Sequence, residues 1–197
     1  MMRRLAAVTT LCALAALVAG CASTPGSRFY TLSAATTPAA TSSDLSVAVG
    51  PVTVPAAVDR PQIVVSTGPN QVRLDEFNRW ASPLQNNISR VVAENLVAML
   101  GTPRVTLSSQ TLGTGADYRA AIEVQRFDSA PGEAATLDAV WTVSRTKDGQ
   151  SQTGRTTVRE AAAEKGYDAL AAAHSRAVAR LSRDIADAVR ALDRSGR

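Results

Sequence analysis

The sequence predicts an α+β fold: a single domain in which an antiparallel sheet is covered by two main helices. Three observations predict it. Apolar and polar residues alternate along several short stretches, and two longer stretches carry apolar stripes at spacings of three and four. Turn-forming pairs separate the alternating stretches, which makes them hairpin neighbours. The order strands, helix, strands, helix suits two helices laid on one sheet.

Each element has its own signature. Arg28–Leu32 (RFYTL) is a short apolar segment able to pair as a strand, and residues 33–44 (SAATTPAATSSD) read as a loose linker. Leu45, Val47 and Val49 share one face of the next strand. Gly50-Pro51 interrupts that run before Val52 and Val54 resume it, which fits a bulge or an edge strand. Gln62–Ser66 and Val72–Asp75 form two further strands around a turn at Gly68-Pro69-Asn70. Ser82 is a natural helix cap, Pro83 suits the first helical position and Gln85 completes a capping box. Leu84, Ile88, Val91, Val92, Leu96, Met99 and Leu100 then make one apolar stripe, ended by Gly101 and Pro103. After a short strand near Arg104–Leu107, three strands begin at about Tyr118, Leu137 and Gln152, with hairpin turns at Pro131-Gly132 and Asp148-Gly149. A helix from about Asp168 to Asp193 closes the chain, its seam made by Leu170, Ala177, Val178, Leu181, Ile185, Val189 and Leu192.

The N-terminus has a separate meaning. Arg3 and Arg4 precede an apolar run from Leu5 to Ala19, and Val18-Ala19-Gly20-Cys21 ends it. This is the pattern of a bacterial lipoprotein signal, with residues 1–20 removed and Cys21 acylated. The run is shorter than the roughly 20 residues needed to span a bilayer. Two or three acyl chains hold a protein firmly where one holds it marginally. Ala22, rather than aspartate, follows the cysteine and favours the outer membrane, on its periplasmic face. Residues 22–27 (ASTPGS) form a polar tether reaching about 20 Å when stretched. The organisation is therefore a signal at 1–20, a lipidated N-terminus with a short strand and linker at 21–44, and one domain at 45–197.

Composition excludes several classes of function. Arg3 and Arg4 leave with the signal, so the net charge of +4 falls to +2. No Lys/Arg run is present and aromatics make up 4%, which argues against a nucleic-acid surface. Cys12 also leaves with the signal, so the mature chain can form no internal disulfide and no tetrahedral Cys/His metal site. His174 is the only histidine and falls on the apolar seam of the last helix, which suits a core or boundary position better than catalysis. Asp75-Glu76 is an adjacent carboxylate pair that reads as a solvated turn rather than an acid/base couple. No nucleophile elbow, P-loop or H-E-x-x-H motif occurs. No cofactor and no enzymatic activity are expected.

The middle of the chain carries a motif series: Val52-x-Val54-Pro55, Asp59-Arg60-Pro61-Gln62-Ile63-Val64, Arg79-Trp80-Ala81-x-Pro83-Leu84, and Glu94-Asn95-Leu96 before Leu100-Gly101. Phe29-Tyr30-Thr31-Leu32 precedes it, just downstream of Cys21. In this order and spacing the series resembles the ABC-type transport auxiliary lipoprotein family, the group that includes the paraquat-inducible protein C (PqiC) lipoproteins. Ala57 and Ser66 depart from it, where a bulky residue and an arginine are common. The resemblance implies a non-enzymatic outer-membrane docking component of a lipid-transport system that maintains the envelope. Its partners would be a periplasm-spanning MCE-domain protein and, indirectly, inner-membrane transporter components. Members of the group can form rings, so a homo-oligomer is implied. A periplasmic lipid-binding shuttle with its own apolar cavity is the alternative. Candidate partner-binding residues are Asp59, Arg60, Pro61, Gln62 and Trp80. Asp59-Arg60-Pro61 either presents a charged pair beside an edge strand or closes a turn, and Trp80 either packs across the helix start or binds lipid.

Overall fold

The computed structural model describes residues 26–37, 42–108, 115–162, 164 and 166–196. Cys21 and the signal lie outside them. Ten elements follow in order: β1 (Arg28–Tyr30), β2 (Val47–Thr53), β3 (Gln62–Gly68), β4 (Gln71–Trp80), α1 (Leu84–Leu100), β5 (Val105–Leu107), β6 (Tyr118–Ala130), β7 (Ala134–Arg145), β8 (Ser151–Ala161) and α2 (Tyr167–Ser195).

The α+β architecture with two covering helices is as expected, but the sheets are mixed rather than purely antiparallel. The large sheet runs β5-β2-β6-β7-β8 and a small one runs β1-β4-β3. Hairpins join β3 to β4, β6 to β7 and β7 to β8, and all three pairs are antiparallel. β2 is parallel to both its neighbours, and β1 is parallel to β4. Parallel neighbours need a crossover. Between β2 and β5 that crossover consists of the β3–β4 hairpin and α1. Turn residues reveal hairpin partners in a sequence; a crossover leaves no local signal, so only the antiparallel pairs were legible. β2 is an interior strand, and the Gly50-Pro51 break is a register shift between Val49 and Val52, a bulge rather than an edge.

The helix start also differs from expectation. Pro83, not Ser82, occupies the cap position, with an extended ψ of 134° and no side chain closing the first turn. Its carbonyl accepts from the Asn86 and Asn87 N–H groups. The helix therefore begins one residue later than a Ser82–Gln85 capping box would require. At the other end Gly101 takes the left-handed conformation (φ 64°), as the glycine stop predicts.

Both helices pack on one face of the large sheet. Val47 and Val49 of β2, Ile122 and Val124 of β6, and Leu137 and Val143 of β7 are buried beneath Leu96 of α1 and Leu181 and Ile185 of α2. Along β6 the inward residues are even-numbered up to Val124. A register shift between Val124 and Arg126 then inserts Gln125, and Phe127 and Ser129 become the inward residues. That one-residue bulge reverses the parity of the strand.

Residues 31–36, expected within or next to a loose linker, form instead a strap across both helices. Leu32 is fully buried. Its N–H and the Thr31 hydroxyl donate to Asn87 Oδ1, and Arg90 donates to its carbonyl at 2.6 Å. The Ser33 N–H donates to Ser175 Oγ at 3.1 Å and the Ala35 N–H to Asn95 Oδ1 at 3.2 Å. Asn95 also donates to Ser182 Oγ, tying α1 to α2.

Candidate functional site

The small sheet brings four of the five candidate surface residues to one place. Val58 and Asp59 N–H groups donate to the Pro55 carbonyl, and the Arg60 N–H donates to the Val58 carbonyl, so Pro55–Arg60 is a hydrogen-bonded turn leading into β3. Asp59, Arg60 and Pro61 are exposed and Gln62 is half-buried. No ion pair joins Asp59 to Arg60 among the described residues. The turn opens beside an edge strand, since β3 borders the small sheet.

Trp80 is held next to this turn through its backbone alone, its N–H donating to the Pro61 carbonyl at 2.7 Å. Its side chain is only 5% exposed and points into the core. There it meets Phe127 and His174 edge-on, with ring centroids 6.1 Å apart in each case. The structure thus separates Trp80 from the exposed set.

β4 carries a bulge that the sequence did not announce. Gln62 pairs with Arg79 and Ile63 with Asp75, so Glu76, Phe77 and Asn78 are looped out. Asp75, expected in a solvated turn, is the centre of that bulge. Its Oδ1 accepts from the Phe77 and Asn78 N–H groups and from the Asn78 amide, all at 2.9–3.1 Å. Its Oδ2 accepts from the Tyr167 hydroxyl of α2 at 2.5 Å and from Arg73 at 3.3 Å. Burial alone would raise the Asp75 carboxyl, but the hydrogen bonds from Tyr167, Asn78 and Phe77 outweigh it and hold it well below the usual carboxylate range. Beside it Glu76 accepts from Gln62 and pairs with Arg79.

The outer surface of this sheet carries a group of exposed apolar side chains beside Arg79 and Glu76. Phe29 shares a rung with Arg79, and Leu74 and Val72 share rungs with Val64 and Ser66, all on the face turned away from Tyr30 and Trp80. Phe29 is 64% exposed and Val72 63%, and Leu74 and Phe77 are partly exposed. Four of the five large apolar side chains most exposed among the described residues therefore belong to β1 and β4.

His174 belongs to the core, as its place on the α2 seam implied. It is fully buried, stacks on Phe127 with centroids 3.8 Å apart, and lies 2.8 Å from Ser129 Oγ through Nε2. Burial pushes its pKa down to about 3. A Ser–His contact is the beginning of a nucleophilic dyad, but Ser129 is 2% exposed and no group among the described residues bonds Nδ1. Among the described residues the pair has neither solvent exposure nor a carboxylate on Nδ1. A cleft of about 820 Å³ is lined mainly by polar and charged groups including Asp44, Asp117, Arg145, Lys147, Asp148 and Asp193. Arg145 there is buried and bonds Asp148, whose carboxyl it holds below the usual range, and the Leu192 carbonyl. It fastens the end of α2 to the β7–β8 turn. No cluster of metal-ligating side chains occurs among the described residues.

A family model for the ABC-type transport auxiliary lipoprotein component matches residues 30–186. The chain belongs to that family. The match begins inside β1 and ends in α2, so it takes in both sheets and both helices. Two solved structures share the fold of this auxiliary lipoprotein. One is an uncharacterized protein, 22% identical with a TM-score of 0.69, covering 84% of this chain and 99% of that one. The other is a Xanthomonas campestris protein of the DUF330 family, 19% identical with a TM-score of 0.66, covering 87% and 100%. At these identities the likeness establishes the fold. No curated protein sequence matches the chain. The family is that of an auxiliary component of ABC-type transport, which suggests a non-catalytic role and fits membrane association. No helix among the described residues is long and apolar enough to cross a membrane.

Sequence reasoning gave Asn87 and Asn95 no structural role and placed Asp75 in a solvated turn. The two asparagines were detectable: with Val91 and Met99 they fall at four-residue spacing within the apolar stripe of α1, where an unpartnered amide would be costly. Asp75 gave no such signal.

Proposed function

We propose that this auxiliary lipoprotein is a non-enzymatic docking component of an MCE-type lipid transport system. Acylated Cys21 holds it on the periplasmic face of the outer membrane. The Asp59–Gln62 turn receives the tip of the periplasm-spanning MCE-domain partner, and inner-membrane transporter components are reached through that partner. The observation that carries this reading is the family match over residues 30–186. The exposed turn supports it: the chain there is fixed by its own hydrogen bonds, while the Asp59 and Arg60 side chains face water. A contact surface of this kind loses little entropy on binding. Self-association into a ring would repeat the turn around one axis. The charged lining of the 820 Å³ cleft favours docking over carriage, since acyl chains gain little from such walls.

The test is capture of partners by the native lipoprotein from solubilised envelopes, with a doubly reversed variant, Asp59→Lys with Arg60→Glu, in parallel. The MCE-domain protein should co-purify with the native chain and fall several-fold with the variant. Equal capture by both would remove the turn from the contact, and absence of any MCE-domain protein would overturn the transporter reading. Native mass spectrometry of the purified protein should show no bound phospholipid; a stoichiometric lipid would favour the shuttle.

A further inference from the structure

We infer that the outer face of the small sheet lies against the bilayer that holds the anchor, with Phe29, Leu74, Val72 and Phe77 seated among lipid headgroups and upper acyl chains. The inference rests on the reading of Cys21 as the acylated residue. It goes beyond that reading by assigning the protein a second, non-covalent membrane contact and a fixed orientation.

Chain length is the first support. The acylated residue and Phe29 are eight positions apart, so Phe29 can be no more than about 28 Å from the lipid even with the chain fully drawn out. A body of about 175 residues is roughly 40 Å across. Slack cannot be borrowed from beyond β1, because Leu32, Ser33 and Ala35 are fastened to α1 and α2. The edge of the molecule that carries β1 must therefore stay near the membrane.

Placement of the apolar groups is the second support. The exposed large side chains are not scattered, for Phe29 and Arg79 share one rung and Leu74 and Val72 lie on the same face toward the hairpin tip. Phe77 is pushed out by the bulge that Asp75 secures from below. A contiguous apolar patch on the surface marks a contact with something apolar, and the nearest apolar phase is the one to which the chain is tied. Arg79 and Glu76 neutralise each other in the same face. The contact is accordingly driven by apolar insertion and depends little on anionic lipid or salt. In this pose the Asp59–Arg60 turn comes to the headgroup level, where a partner exchanging lipid with the membrane has to arrive.

The mature acylated protein, bound to vesicles of phosphatidylethanolamine and phosphatidylglycerol, tests this directly. Because the Cys21 sulfur is alkylated, a cysteine introduced by Phe29→Cys, Leu74→Cys or Phe77→Cys is the one reactive thiol, and Thr153→Cys on β8 serves as the distant control. Each is labelled with an environment-sensitive fluorophore and challenged with nitroxide-labelled lipid. Probes at 29, 74 and 77 should be quenched several-fold more than the probe at 153, equally at low and high salt. If the protein floats with the vesicles but the three probes behave as the control does, the face does not meet lipid and the inference is overturned with the anchor intact. If mass spectrometry finds an unacylated N-terminus and the protein does not float, the anchor reading fails first. If the probes are shielded without vesicles in a protein-concentration-dependent way, a second copy covers the face and the bilayer contact is wrong.

Discussion

Lowering the pH from 7 to 5 should destabilise this protein through one side chain. His174 is fully buried, its ring covered by Phe127 and edged by Trp80, and its pKa in the fold is pushed down to about 3. Protonation would put a charge and a second N–H donor into a space where Nδ1 has no partner among the described residues. In the unfolded chain the imidazole titrates near 6.5. Between these values the unfolded state holds the extra proton, so stability is full above about pH 6.5 and is lost as the pH falls toward 3. The slope approaches 1.4 kcal/mol per pH unit, and the expected loss from pH 7 to pH 5 is about 2 kcal/mol. The window is clean because His174 is the only histidine. The carboxylates of Asp117, Asp138 and Asp148, held below their ordinary value by hydrogen bonds and arginines, contribute in the same direction but only where an unfolded carboxyl titrates, near pH 4. Urea unfolding at half-unit intervals between pH 7 and 5 measures the slope. His174→Phe, which keeps a ring against Phe127, should flatten it whatever it does to stability at pH 7. An equal slope in wild type and His174→Phe would refute the assignment, because the titrating group would then lie elsewhere.

Three further outcomes follow from single contacts. Asp75→Ala removes the acceptor shared by Phe77, Asn78, Tyr167 and Arg73, and should cost roughly 1–3 kcal/mol; unchanged urea stability would show that the bulge holds itself. Asn95→Leu keeps the volume but strands the Ala35 N–H and takes one donor from Ser182 Oγ, so amide exchange at Ala35 should accelerate by at least about tenfold for a loss of about 1.4 kcal/mol; an unaltered rate would mean that the strap does not depend on α1. Gly154→Val forces a side chain into the ring of Trp141, which pairs across from it, and overpacking of this kind costs about 1–3 kcal/mol; a wild-type melting temperature with an unperturbed near-ultraviolet tryptophan spectrum would contradict that crowding.

Much of this architecture was legible because it is written in local periodicity. The α1 stripe from Leu84 to Leu100, the α2 seam and the Pro131-Gly132 and Asp148-Gly149 turns mark elements whose stabilising partners lie within a few residues or across one hairpin. What was not legible depends on contacts made far along the chain. Nothing near Val47 states that its neighbours are Val105 and Tyr118, both running parallel to it. Residues 33–36 look like linker because they are small and polar, yet their backbone groups are bonded by Ser175 and Asn95, 142 and 60 positions away. The candidate surface divided in the same manner. Asp59, Arg60 and Pro61 sit in a turn, as a proline-bounded charged pair suggests, whereas the fate of Trp80 was set by Phe127, which faces inward only because Gln125 forms a bulge.

The strap gives the small sheet its mechanical meaning. A lipid anchor joined to a body through a flexible linker would leave that body free to rotate, and no face would be favoured at the membrane. Here the chain becomes rigid within about ten residues of Cys21: β1 enters the small sheet beside β4, Leu32 is sunk between the helices, and Asn87, Asn95 and Ser175 hold the next turns of backbone. β1 begins at Arg28, so the small sheet is the first part of the fold reached from the N-terminus. The Asp59–Gln62 turn is carried by that same sheet, through the Trp80 to Pro61 backbone bond and the Gln62–Arg79 rung. On the proposed reading, the anchored N-terminus, the apolar face and the docking turn meet on one three-stranded sheet, while the large sheet and two helices act as the support that keeps them in register.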